Sequence, residues 1–125
     1  MATDLLELSA RIIDTGDLET PTNRVNLELS EVADGVAVVE AFSHVWAVRT
    51  DAGLVLFDAS SDMLGAAVTS ALRSWSTEPV DTIVYTHGHR DHVGGAPAFL
   101  ADADARGHRR PTVLAHEAVA ARLDR

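Results

Sequence analysis

The sequence predicts an α/β fold of the α+β kind, a mixed sheet with flanking helices. Three observations carry this. Between residues 25 and 57, apolar residues alternate with polar ones or run together in short segments, separated by Asp34-Gly35 and Asp51-Ala52-Gly53 turns. A segment of helical period, with Leu64, Val68, Ala71, Leu72 and Trp75 on one face, then lies between two apolar strands, which implies a parallel crossover. Hydrophobic residues make up 46% of 125 positions, enough for the core of one domain.

The elements follow in order. Thr3 or Asp4 caps a helix whose apolar side is Leu5, Leu6, Leu8, Ile12 and Ile13, and Gly16 ends it. Thr20-Pro21-Thr22-Asn23 reads as a linker, so residues 1–24 are an N-terminal helix and linker ahead of a body spanning 25–125. Val25, Leu27 and Leu29 face one side of a first strand, with Asn26 and Glu28 on the other. Val36 to Phe42, His44 to Thr50 and Leu54 to Phe57 complete an antiparallel meander. Ser60 or Ser61 is placed to cap the crossover helix, and Val80 to Thr86 returns as a strand. A histidine-rich loop follows, then an Ala-rich helix from Gly95 to about Ala105, a strand from Pro111 to Ala115, and a helix from His116 onward. Trp46 and Trp75 are expected at positions that their strand and helix bury. Residues 118–125 run on in a helical pattern without a stop signal, so the chain reads as a fragment, a split protein or a truncated product.

Composition narrows the function classes. Ten basic against 19 acidic residues give a formal charge of -9, which disfavours nucleic acid and anionic membranes as partners. The chain has no cysteine, so disulfides and thiolate metal sites are excluded and any metal must be held by nitrogen and oxygen. No apolar run approaches membrane-spanning length, and the start lacks a signal-peptide pattern; a soluble, cytoplasmic protein is expected.

The densest chemistry is His87-Gly88-His89-Arg90-Asp91-His92, three imidazoles and a carboxylate in six residues. These are ligands suited to zinc and similar divalent ions. On extended backbone His87 and His89 project to the same side and can grip one ion, whereas Asp91 and His92 follow a change of direction and can face a second. Gly88, Gly94 and Gly95 ease the bends. A dinuclear centre holding Zn2+, with Mn2+ or Fe as alternatives, is expected, its bound water deprotonated near neutral pH to give a hydroxide nucleophile. Hydrolysis at a carbonyl, phosphoryl or sulfuryl centre is the natural use. The bland alternative, a closed structural site, suits thiolates better than this ligand set.

Thr86 to Gly95, preceded by a meander and a strand ending Leu56-Phe57-Asp58, resembles the metallo-β-lactamase-fold hydrolases over about Val25 to Arg125. The resemblance implies the N-terminal half of an αββα sandwich, with His87 and His89 on the first metal and Asp91 and His92 on the second. Asp91 is thereby named as the catalytic residue. It implies a supporting role beneath the ligand loop for Asp58. Tyr85-Thr86-His87-Gly88-His89 with Ala115-His116-Glu117 downstream looks most like alkyl-sulfatase-type members. A small-molecule ester is therefore the expected substrate, a sulfate ester narrowly ahead of thioesters, lactones and β-lactams. The family's third first-site ligand, bridging carboxylate and further histidine have no match here. A second chain or self-association is expected to complete the sandwich; without it, the chain would be a non-catalytic metal-binding or interaction fragment.

Other residues stand between a role and a plain reading. His44 is placed on the rim with Asp58 and His87, as a pocket or supporting residue or as a partly buried histidine bonded to a turn. His116 is a further ligand candidate or a helix-start histidine. His108, in Arg106-Gly107-His108-Arg109-Arg110, reads as exposed connector, and Arg90 as a solvated loop residue.

Overall fold

A computed structural model describes residues 3–125. The chain order is α1 (Leu5–Thr15), β1 (Leu29–Ala33), β2 (Val36–Val39), β3 (Val45–Thr50), β4 (Gly53–Phe57), α2 (Gly65–Trp75), β5 (Val80–Val84), α3 (Arg90–Val93), α4 (Ala96–Arg106), β6 (Thr112–Leu114) and α5 (Ala118–Leu123). The strands form a single sheet in the order β1-β2-β3-β4-β5-β6. The first four pair antiparallel, whereas β5 joins β4, and β6 joins β5, in parallel. The β4–β5 pair is the crossover that the sequence pattern assigned, and β6, which also follows a helix, re-enters the sheet in the same direction.

The alternation of each strand sorts its side chains between two faces. Ala47 pairs with Leu56 and Leu56 with Ile83, a row that α2 and α4 cover. With Val39, Val45, Leu54, Val68, Leu72 and Phe99, this row is the core, each member at 2% exposure or less. Burying one such side chain contributes roughly 1.5–3 kcal/mol. Arg73 of α2 ties the helix layer together: its guanidinium donates to Asp102 of α4 at 2.7 and 2.9 Å and to the carbonyls of Ser76 and Glu78.

The opposite face carries the row Val38, Trp46, Phe57, Val84 and Leu114. Helix α1 lies over its β1–β3 end, capped as expected by Asp4, whose Oδ1 accepts from the Leu6 and Glu7 amides, and ended by Gly16 at φ 64°. Beyond α1 the row is open, with Trp46 41%, Phe57 38% and Leu114 54% exposed.

Four local readings are corrected. The first strand begins at Leu29 rather than Val25, because Leu27 adopts φ 60° and breaks the extended run; Leu27 and Leu29 still pack on the core while Val25 is exposed. Strand β2 stops at Val39, and Glu40 turns into a bidentate pair with Arg24 that leaves Phe42 in solvent. Neither Ser60 nor Ser61 caps α2 through its side chain; Ser60 is wholly buried at φ 61°, its carbonyl accepting from the Gly95 amide. Trp46 is not buried, because the β3 side chains alternate and Ala47 takes the core side.

Candidate metal centre

The cluster sits where β4 and β5 end. Phe57 and Val84 are the last paired residues, and the Asp58 amide donates to the Val84 carbonyl at 2.8 Å, so Asp58 lies beside the start of the histidine loop. Asp58 adopts φ 66°, a left-handed conformation that costs a non-glycine residue energy and that a surrounding network must hold. The network is present. Asp58 is 5% exposed; its Oδ1 accepts from the Thr86 amide at 2.8 Å, and its Oδ2 from the Thr86 hydroxyl and from His92 Nδ1, each at 2.7 Å.

These bonds dictate where the imidazole protons sit. A carboxylate accepts, so the bond to Asp58 has His92 donating from Nδ1, and in the neutral ring the Nε2 lone pair is then the ligating one. The single Thr86 hydroxyl proton goes to Asp58, so Thr86 Oγ1 can only accept from His87 Nδ1, 2.8 Å away. In the neutral ring His87 therefore has its lone pair on Nε2, which lies within hydrogen-bond distance of His89 Nδ1. One buried carboxylate sets both tautomers, directly in one ring and through a hydroxyl in the other.

Ring crowding follows the same logic. His87 and His92 have centroids 4.1 Å apart, and His87 and His89 4.6 Å apart. His87 Nε2 lies 3.1 Å from His89 Nδ1, close to the spacing of about 3.3 Å between two nitrogens bound to one tetrahedral zinc at about 2.0 Å. His92 Nε2 lies 3.6 Å from Asp91 Oδ2. Among the described residues, one donor atom each from Asp58, His87 and His92 also lies within 4.8 Å of the other two. Asp58 is a poor ligand in that trio, because both its oxygens are already engaged by Thr86 and His92. The donor set left over, imidazole nitrogens and the Asp91 carboxylate, fits a borderline divalent ion.

Asp91 lies in the first turn of α3, and Ser43, between β2 and β3, donates its hydroxyl to Asp91 Oδ2 at 2.7 Å. That bond holds the Asp91 carboxyl below the usual carboxylate range. The loop is fastened from behind: the Ala59 amide donates to the His92 carbonyl at 2.7 Å. Gly95 is required there, since a Cβ at this position would stand 1.9 Å from the Ala59 carbonyl oxygen.

The structure brings His87, His89, Asp91, His92 and Asp58 together. His44 instead bonds the Ala41 carbonyl through Nδ1 at 2.9 Å, the turn-bound arrangement, and faces the space under α1. His116 accepts from the Ala118 amide through Nδ1 at 3.1 Å at the start of α5 and is exposed, which is the helix-start reading. Arg90 is exposed and its guanidinium donates to the Leu123 carbonyl. Sequence reasoning missed Ser43: no local pattern marks a serine 48 residues away as the partner of Asp91. The hydrogen-bond bridge that Thr86 makes between Asp58 and His87 was missed as well, although threonine beside paired histidines is a signal that could have raised it.

No helix among the described residues is long and apolar enough to cross a membrane. The linear primary-alkylsulfatase of a Pseudomonas species is 32% identical over 82 residues, 62% of this chain but 12% of that protein. Ribonuclease Z of Lachnospira eligens is 32% identical over 50 residues, 40% of this chain and 16% of that protein. The chain thus spans less than a fifth of the length of these curated relatives. Among solved structures, a double mutant of a sec-alkyl sulfatase superposes with TM-score 0.61 at 26% identity over 78% of this chain and 16% of that one. A Cronobacter sakazakii metallo-beta-lactamase superposes with TM-score 0.63 at 21% identity over 78% of this chain and 36% of that one, a likeness of fold. The sequence profile of the metallo-beta-lactamase superfamily, whose fold is metal-dependent, matches residues 38–121. The chain belongs to the metallo-beta-lactamase superfamily of hydrolases.

Proposed function

We propose that this chain supplies the metal-binding side of a hydrolase in which His87 and His89 hold one divalent ion and Asp91 and His92 a second, with zinc favoured over manganese or iron. The observation that carries the reading is the pair of donor spacings, 3.1 Å between His87 Nε2 and His89 Nδ1 and 3.6 Å between His92 Nε2 and Asp91 Oδ2. When bound, such an ion supplies Lewis acidity and lowers the pKa of a coordinated water. The protein's part is positional. Asp58 and Thr86 keep the protons of His92 and His87 on Nδ1, and Ser43 fixes one oxygen of Asp91, leaving the other to orient or accept a proton at the reacting centre.

The bond cleaved is of ester type, and a sulfate ester is the leading substrate, supported by the alkylsulfatases among the relatives. A thioester, lactone or β-lactam is the second reading, favoured by the fold likeness to β-lactamases. The substrate is a small molecule, and a reducing compartment such as the cytoplasm fits a chain without cysteine. The exposed row of Trp46, Phe57 and Leu114 supports a further polypeptide, or a second copy, covering this face in the active assembly. A fragment that binds metal without turnover is the competing class. The test is hydrolysis of alkyl sulfates, thioesters, lactones and a β-lactam by the zinc-loaded full protein. Alkyl sulfate turnover that disappears in His87→Ala/His89→Ala is expected; unchanged turnover in that variant would sink the proposal.

A further inference from the structure

The turn between β2 and β3, residues 40–44, is held at one end by the segment that leads into β1 and touches the histidine loop at the other. Glu40, Ala41 and Ser43 are buried, at 3%, 0% and 5% exposure. Every polar group of Glu40 is engaged by residues 24–28. Its amide donates to the Glu28 carbonyl at 3.0 Å and its carbonyl accepts from the Leu27 amide at 2.8 Å. Its carboxylate accepts from Arg24 Nε at 2.7 Å, from a second Arg24 nitrogen on the other oxygen, and from Asn26 Nδ2 at 3.3 Å. Asn23 Nδ2 donates to the Phe42 carbonyl, and His44 Nδ1 bonds the Ala41 carbonyl at 2.9 Å. The shape of the turn is therefore set by a segment that makes no contact of its own with the histidines.

Ser43 carries that shape to the loop. Among the described residues, the one hydrogen bond from the turn to the histidine loop runs from the Ser43 hydroxyl to Asp91 Oδ2 at 2.7 Å. Oδ2 is also the Asp91 oxygen that lies 3.6 Å from His92 Nε2. A carboxylate oxygen has two lone pairs, so engaging one of them aims the other. No other side chain among the described residues hydrogen-bonds this carboxylate, which is 37% exposed and would otherwise be free to rotate.

We propose that Arg24, Glu40 and Ser43 are positioning residues for Asp91 as a metal ligand, the Arg24–Glu40 pair fixing the 40–44 turn so that the Ser43 hydroxyl aims Oδ2. The inference rests on the hydrolase reading for the ion that Asp91 meets. The aiming itself is a property of the metal-free protein, so the two ideas fail separately.

Two measurements on the full protein test it. The working variant is Glu40→Gln, because Arg24→Ala would leave a buried carboxylate unpaired and threaten the fold. In the metal-free, carbon-13-labelled protein, the Asp91 Cγ resonance should shift in Ser43→Ala and shift the same way, by less, in Glu40→Gln. Adding Glu40→Gln to Ser43→Ala should shift it no further, since the relay is already cut. In a cobalt(II) titration followed by visible absorption, the equivalent that Asp91→Asn/His92→Ala loses should bind about 10–100-fold more weakly in Ser43→Ala and about three- to tenfold more weakly in Glu40→Gln. Val80→Ala, 3% exposed at the far end of β5, controls for lost stability alone: it should lower the melting temperature and leave the resonance and the cobalt affinity as in the wild type. An Asp91 resonance unmoved in Glu40→Gln, effects of the two substitutions that add in full, or an equal cobalt loss in Val80→Ala would overturn the proposal. A wild type that takes up a single cobalt while the resonance behaves as expected would overturn the two-ion reading and leave the aiming of Asp91 standing.

Discussion

The two faces of the sheet are built from the same kind of residue and end in different states. On one, Ala47, Leu56 and Ile83 lie under α2 and α4 with at most 2% exposure. On the other, Trp46, Phe57 and Leu114 occupy the equivalent row and remain 38–54% exposed. A sheet with one wet face ordinarily alternates apolar with polar residues, whereas strands apolar on both sides belong to sheets covered on both. The comparison teaches that the second face is specified for burial as strongly as the first, and that the histidine loop sits at the end of the strands between them.

The comparison breaks most readily in the covered face. Leu56→Ala should cost about 2–5 kcal/mol in urea denaturation, because α2 and α4 cannot collapse into the gap. Equal loss from a substitution on the open row would refute the distinction. Next comes the carboxylate where the two faces meet the loop. Asp58→Ala removes the acceptor of the Thr86 amide and hydroxyl and frees the tautomers of His87 and His92. Zinc affinity should fall about 10–100-fold, measured by chelator competition.

The Arg24–Glu40 pair under α1 gives a smaller, pH-resolved effect. The bond from Arg24 holds the Glu40 carboxyl below its usual value of 4.5, so the stabilisation is complete above that pH and is lost as pH falls through the lowered value. Denaturation from pH 6 downward should therefore show an acid-side loss that Glu40→Gln removes, together with about 1–3 kcal/mol less stability near neutrality. Smallest is the open row itself. Trp46→Ser should change stability of the chain by less than about 1 kcal/mol while reducing concentration-dependent association in sedimentation velocity. A large loss of stability there would mean that the row is already part of a core.

Those differences also explain how far the residues alone could be read. The meander, the crossover and the order of β4, α2 and β5 were legible because each apolar run has one period and one flanking turn. Val25 to Leu29 misled, since the alternation is present but Leu27 at φ 60° interrupts the strand, a backbone choice set by the Glu40 contact rather than by side-chain pattern. Ser60 looked like a cap because serine favours that role, yet the close approach of Gly95 to Ala59 occupies its backbone instead. In the histidine loop, the grouping of His87, His89, Asp91 and His92 followed from spacing on a short stretch of chain. The partners that orient them did not: Ser43 and Asp58 reach the loop across 48 and 34 residues, distances at which only the fold decides contact. The open row left its own trace in composition, since Trp46, Phe57 and Leu114 are apolar where a wet face would be polar.

The central claim is that the loop presents two donor pairs for two divalent ions. Elemental analysis after exhaustive dialysis from zinc tests it most directly, on the wild-type chain and on the variants His87→Ala/His89→Ala and Asp91→Asn/His92→Ala. Two equivalents in the wild type, with each double variant losing one, is the predicted result. Zinc retained in full by both variants, or bound by none of the three, would contradict the claim.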